Sequence, residues 1–270
     1  MRLNLCRLVF TGLLAFATAQ TAIGGCLKPS EPDSDFTRAG PYRVVQGDAP
    51  RGYTLWYPAD IASSPCEHPV VVWGNGNLIV GNQYRNTNRH IASYGFIVLA
   101  SDESAGGGWG NGEPLAEGIR LMRARNNQRG PLQGKVSLIS GAAGHSMGGV
   151  STEKLAGYQD NLGAIVDIMG GHLGLVRDHA VPTLLLTGTT DFMRTFVRQA
   201  WSNNEGPTVY LEGRGVGHMG WERDQEYDAV AAAWFRCWLD DDKNACGLFM
   251  DDGCPRCKQS IWGDVRKKNL

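Results

Sequence analysis

Three residues able to act in series on a carbonyl group occur in the order Ser146, Asp191, His218 along a chain of 270 residues. A serine hydroxyl is a weak nucleophile until an imidazole takes its proton. The imidazole in turn needs a carboxylate to hold its tautomer. Ser146 lies in Gly144-His145-Ser146-Met147-Gly148, which fits G-x-S-x-G, and Gly149 follows. A serine on a sharp strand-to-helix turn has strained backbone angles. Small residues two positions to either side let such a turn close. The turn lifts the hydroxyl into the open at a helix N-terminus, whose field favours developing negative charge.

Asp191 follows Thr183-Leu184-Leu185-Leu186-Thr187 and Gly188-Thr189-Thr190, which puts it at the C-terminal edge of a strand. Ligands bind at that edge in parallel sheets. Asp191 can also cap the helix that follows. Asp167 is the rival acid, but it stands inside an apolar strand. His218 lies in the glycine-rich stretch Gly213–Gly220, between the last parallel strand and the last long helix. Such a loop can carry an imidazole over the serine. His68 and His90 precede Ser146, and His172 and His179 precede Asp191, so none fits the chain order. His145 sits inside the turn and is expected to point away from its neighbour.

The predicted chemistry is attack of Ser146 on an ester carbonyl, with His218 as base and Asp191 as its orienter. An acyl-enzyme forms and water cleaves it. Activity should fall at acid pH as the base gains a proton. The oxyanion needs two N–H donors. One is expected from Met147, and the other from Asn77, with Gly76 as the rival. No metal and no organic cofactor is expected. Gly74-Asn75-Gly76 is too short and wrongly placed for a dinucleotide fingerprint.

The elements that position these residues alternate. Thr54–Tyr57, Pro69–Trp73, Phe96–Ala100, Ala164–Ile168, Thr183–Thr187 and Thr208–Leu211 read as strands. Most are continuous apolar runs suited to burial on both faces. Helices are predicted near Arg89–Tyr94, Asn111–Arg125, Val150–Tyr158, Phe192–Trp201 and Asp224–Trp238. The strand before Ser146, Ser140–Gly144, is poor in β-branched residues and is argued by position alone. The result is an α/β fold, a doubly wound, mostly parallel sheet with helices on both faces. The interval from Ser146 to Asp191 is filled by these elements, so no large lid domain is expected.

Arg2 and Arg7 flank a short apolar run that ends at Ala17-Thr18-Ala19. This pattern predicts a signal peptide over residues 1–19, followed by a polar linker over 20–40 and one domain over 41–270. Export places the protein outside the cell or in a periplasm. Ile23-Gly24-Gly25-Cys26 loosely matches a lipobox, which makes Cys26 a possible lipid anchor. Cys26, Cys66, Cys237, Cys246, Cys254 and Cys257 are expected to form disulfides of undetermined pairing, stapling a Cys-rich tail, although Cys254-Pro255-Arg256-Cys257 could hold zinc. Lys+Arg is 26 against Asp+Glu 27. No basic excess exists to bind nucleic acid. No later apolar run is long enough to span a membrane. A monomer is expected.

With these residues in place, the chain resembles the α/β-hydrolase superfamily, and within it the secreted cutinase-like and polyethylene terephthalate hydrolase-like group near dienelactone hydrolases. The resemblance runs from Pro69 to Asp242. It rests on Ile91–Val98, Gly144–Gly149, Val181–Leu185, Gly217-His218 and Ala233–Arg236. It implies Ser146, Asp191 and His218 as triad, Asn77 and Met147 as oxyanion donors, and a small-molecule or polymer ester as substrate. The polyesterases carry aromatic residues where Asn77 and the segment Ile168–His172 stand here. Gly76, Trp109 and His172 are therefore the candidate substrate wall, with Trp109 as a replacement aromatic. A same-fold acyltransferase, thioesterase or peptidase, or a catalytically silent surface-binding protein, are the alternatives.

Overall fold

Val70 and Val72 face one helical layer, while Val71 and Trp73 face the other. This two-residue period is what a strand buried on both sides requires. The computed structural model describes residues 26–31, 34–79, 81–103, 110–250 and 254–270. Residues 1–25, the region of the expected signal peptide, lie outside it, as does Trp109.

Nine strands form one sheet in the order β1-β2-β4-β3-β5-β6-β7-β8-β9. They are β1 (Val44–Gly47), β2 (Tyr53–Pro58), β3 (His68–Gly74), β4 (Ile97–Ser101), β5 (Val136–His145), β6 (Leu162–Ile168), β7 (Thr183–Gly188), β8 (Thr208–Gly213) and β9 (Trp262–Lys268). β3 to β8 run parallel to their neighbours, and β1, β2 and β9 add antiparallel edges. The α/β, doubly wound, mostly parallel architecture is the expected one. The edges β1 and β9 are additions to it.

The helices are α1 (Arg85–Ser93), α2 (Glu113–Arg125), α3 (Met147–Ala156), α4 (Arg194–Asn203), α5 (Gln225–Asp240) and α6 (Lys243–Met250). α5 packs against both α1 and α6, and α2 packs against α3. The two main apolar clusters lie on opposite sides of the sheet. Asp224 caps α5 by accepting from the Glu226 N–H at 3.0 Å. Between β6 and β7, residues 169–182 form neither helix nor strand, so no helical lid is inserted there.

The small residues of β5 have a packing cause. A Cβ on Gly141 would fall 2.8 Å from Leu239 and 2.8 Å from Phe235, both on α5. This central strand is kept small so that the helix can press against it.

The described part of the expected linker is not free chain. Leu27 and Phe36 are buried, and Phe36 stacks on Tyr94 with ring centroids 4.8 Å apart. Ser30 Oγ donates to Asp242 Oδ2 at 2.6 Å, and Arg236 donates to the Lys28 carbonyl at 2.7 Å. Enough apolar surface is lost there to hold the segment on the domain. Disulfides join Cys26 to Cys66, Cys237 to Cys246, and Cys254 to Cys257. The Cys26 sulfur is thus bonded to protein, which corrects the expectation of a lipid at that atom. Cys254 and Cys257 are likewise taken from any zinc. Among the described residues, no helix is long and apolar enough to cross a membrane.

Candidate active site

Ser146 is the single residue between the end of β5 at His145 and the start of α3 at Met147. Its backbone angles are φ 57° and ψ −121°. Non-glycine residues reach that region only when the surroundings enforce it. The surroundings here are glycines. A Cβ on Gly144 would lie 2.3 Å from the Gly148 carbonyl, and one on Gly148 would lie 2.0 Å from the Gly74 oxygen. A Cβ on Gly149 would lie 2.1 Å from Asp167 Oδ1. The turn closes because backbone meets backbone at Gly144 and Gly148, and the Asp167 carboxyl meets backbone at Gly149.

The turn aims Ser146 at His218. Ser146 Oγ lies 2.8 Å from His218 Nε2, and His218 Nδ1 lies 2.8 Å from Asp191 Oδ1. Asp191 is buried beyond the end of β7. Its Oδ2 accepts from Thr187 Oγ1 at 2.8 Å, and its Oδ1 also accepts from the Met193 N–H at 3.1 Å. With three donors on it, the carboxylate is fixed in place. It selects the imidazole tautomer with the proton on Nδ1, which leaves Nε2 free to accept the serine proton. Such a line can make an alkoxide at Ser146. Met147, as the first residue of α3, has an N–H with no acceptor inside its own helix.

A profile of the PET hydrolase-like family matches residues 35–260. The chain belongs to that family. It is also 24% identical over 245 residues to cutinase est2 of Thermobifida alba, covering 85% of this chain and 79% of the relative. The family and this relative point to an ester hydrolase of α/β-hydrolase fold.

Beside the three residues, this PET hydrolase-like chain has a second hydrogen-bonded line that the sequence did not disclose. The Gly76 N–H donates to Tyr84 Oη at 3.1 Å. Tyr84 Oη lies 2.8 Å from His145 Nδ1, and His145 Nε2 lies 2.9 Å from the His218 main-chain oxygen. Burial and the neighbouring His218 push the His145 pKa down to about 3. A neutral ring satisfies the geometry: Nε2–H donates to the His218 carbonyl, and Nδ1 accepts from the Tyr84 hydroxyl. His145 was expected only to point away from its neighbour Ser146. It points across the site, to the backbone of His218. A histidine between two glycines of the turn was the available signal, but its partner Tyr84 is distant in sequence.

The other sequence candidates separate. Gly76 lies against the nucleophile, since a Cβ there would sit 3.5 Å from Ser146 Cβ. Its N–H is already given to Tyr84, and Asn77 beside it is exposed. Asp167 is not near His218 by any hydrogen bond; its two oxygens accept from Gly170 and Gly171 at 2.9 and 2.6 Å. Burial, then the charge of Glu153, raises its pKa well above the usual carboxylate range. His172 is not on the open side. It is buried, with Nε2 3.2 Å from Glu153 Oε2, which corrects its place in the substrate wall. Phe192 was missed. Its ring is 71% exposed and lies 4.1 Å, centroid to centroid, from that of His218.

Proposed function

We propose that this protein is an exported serine esterase that works through an acyl-enzyme. The observation that carries the reading is the unbroken line Asp191–His218–Ser146, with both links at 2.8 Å. His218 takes the Ser146 proton as Oγ attacks the ester carbonyl. Asp191 steadies the imidazolium that results. The N–H groups of Met147 and Asn77 receive the oxyanion. His218 then gives its proton to the leaving alcohol, and water repeats the sequence on the acyl group.

Phe192, Leu78 and Met219 are exposed apolar side chains, the first beside His218 and the others next in sequence to His218 and Asn77. They supply an apolar rim for the acyl or alcohol part of a substrate. The lidless connection between β6 and β7 supports an open cleft with no interfacial activation. Three disulfides support a protein that matures in an oxidising compartment.

The test is hydrolysis of p-nitrophenyl acetate, butyrate and palmitate by the purified protein beside its Ser146→Ala variant. Turnover that drops by about 10⁴ or more in the variant is expected. Equal, slow rates in both proteins reject the esterase.

A further inference from the structure

Glu153 stands on α3, about two helical turns beyond Ser146, and its side chain is fully buried. Two histidines of the irregular connection between β6 and β7 converge on it. His172 Nε2 lies 3.2 Å and His179 Nε2 3.1 Å from the same oxygen, Glu153 Oε2. One potential ligand atom from each of the three residues lies within 4.8 Å of the other two. Both imidazoles are buried too.

We propose that Glu153, His172 and His179 form a structural site for one divalent transition ion, with zinc the best fit. Two imidazole nitrogens and one carboxylate are the donor set that such ions prefer. Ligands about 2.0–2.1 Å from a tetrahedral ion are about 3.3 Å from one another. The observed 3.1 and 3.2 Å separations are close to that edge length.

A second observation points the same way. Glu153 Oε1 is buried and has no hydrogen-bond partner. A buried carboxylate oxygen left bare is costly, and such atoms mark places where an ion or water belongs. A bound ion can take this oxygen as well, by chelation through both carboxylate oxygens. Asn203 Nδ2 sits at 3.4 Å from His172 Nδ1, and with the amide turned to present its oxygen it would accept from that nitrogen and orient the ring from the outer side. Asp167, which holds Gly170 and Gly171 just before His172, adds a second carboxyl to the region.

The ion would tie residues 170–182 to the helix that begins at the nucleophile. That connection has no ladder or helical bonds of its own, so two ligands on it would fix its course. The depth of the site leaves it a structural role, separate from the ester chemistry.

The experiment uses untagged, full-length protein with its disulfides intact. Zinc content is measured by mass spectrometry before chelation and after chelation and reloading, beside the apparent Tm. About one zinc per chain is expected. Its removal should lower Tm by roughly 5 °C, reversibly. Cobalt(II) in its place should give the intense visible bands of a tetrahedral site. Glu153→Gln and the double variant His172→Asn/His179→Asn should lose the metal and the Tm response, whatever their esterase rates. Wild-type protein that takes up no stoichiometric zinc and shows no Tm shift at 100-fold excess overturns the site. So does zinc bound equally well by both variants.

Discussion

His145 Nε2 is 2.9 Å from the main-chain oxygen of His218, so the residue preceding Ser146 holds the backbone of the histidine whose ring faces Ser146. Through Tyr84 the same side chain is tied to Gly76, next to Asn77. Three chain segments that are far apart in sequence are set against one another by one neutral imidazole. Tyr84 and Trp221 pack against it, with Trp73 behind both, and keep it dry.

Tyr84→Phe deletes one hydroxyl and leaves the ring. Gly76 N–H and His145 Nδ1 then lose their shared partner in a buried place. A stability loss of about 1–3 kcal/mol is expected in urea unfolding. The rate kcat should fall about tenfold with KM nearly unchanged, since positioning in the transition state is lost rather than substrate contact. Wild-type kcat in this variant would detach the tyrosine from the site.

The low pKa of His145, about 3, has a pH consequence. The folded protein keeps this ring neutral, whereas the unfolded chain protonates it below about pH 6.5. Unfolded chain therefore binds more protons, and this contribution to stability is lost as pH falls from about 6.5 toward 3, at up to about 1.4 kcal/mol per pH unit. Asp228, raised to about 6 by burial, works in the opposite direction as it protonates. The clean measurement is the difference in unfolding free energy between wild type and His145→Gln at pH 7, 6, 5 and 4. Wild type should lose ground steadily, and a difference that does not change with pH refutes the assignment.

Gly148→Ala forces a methyl to within 2.0 Å of the Gly74 oxygen. Either β3 or the turn must move. A loss of about 2–4 kcal/mol in urea midpoint analysis is expected. Esterase activity should fall with it even at temperatures where the variant stays folded. Gly130→Ala serves as the control, because nothing lies within 4 Å of a Cβ there, although its φ of 148° adds backbone strain.

Asp191→Asn preserves shape but places an amide against His218 Nδ1. The imidazole then carries its proton on the wrong nitrogen. A fall of roughly 10⁴ in kcat at neutral pH is expected. Steady-state kinetics with p-nitrophenyl butyrate decides it, and a loss below tenfold would remove Asp191 from the mechanism.

Cys26→Ser/Cys66→Ser opens a covalent loop with a sequence separation of 40. Chain entropy alone gives a loss of about 4 kcal/mol. Thermal unfolding of the double variant should show it, with the active site unaltered once folded. An unchanged Tm would mean that Leu27, Phe36 and the Arg236 contacts hold the segment by themselves.

Much of the central sheet and the Ser146, Asp191, His218 geometry was legible because both depend on local pattern. Apolar runs mark strands buried on two faces, and the glycine spacing around Ser146 reports its turn. β5 was weakly legible because its glycines answer to Phe235 and Leu239, which lie far along the chain. β9 was missed since Trp262-Gly263-Asp264-Val265-Arg266-Lys267-Lys268 is a charged edge strand without a core signature. Tyr84 went unnoticed and His172 was misplaced for a related reason. Their roles are set by partners 61 and 19 positions away, and no spacing rule reports those.

The antiparallel seal made by β9 also sets a timetable. β8 leads into the loop that carries His218, and its outer edge is covered only when Trp262–Lys268, made after α5 and α6, pair with it. A chain still emerging from the ribosome therefore carries Ser146 long before it can complete the strand that steadies its base. Closure of the sheet edge is thus a late event, and a chain halted before Trp262 leaves β8 with a row of unpaired backbone groups.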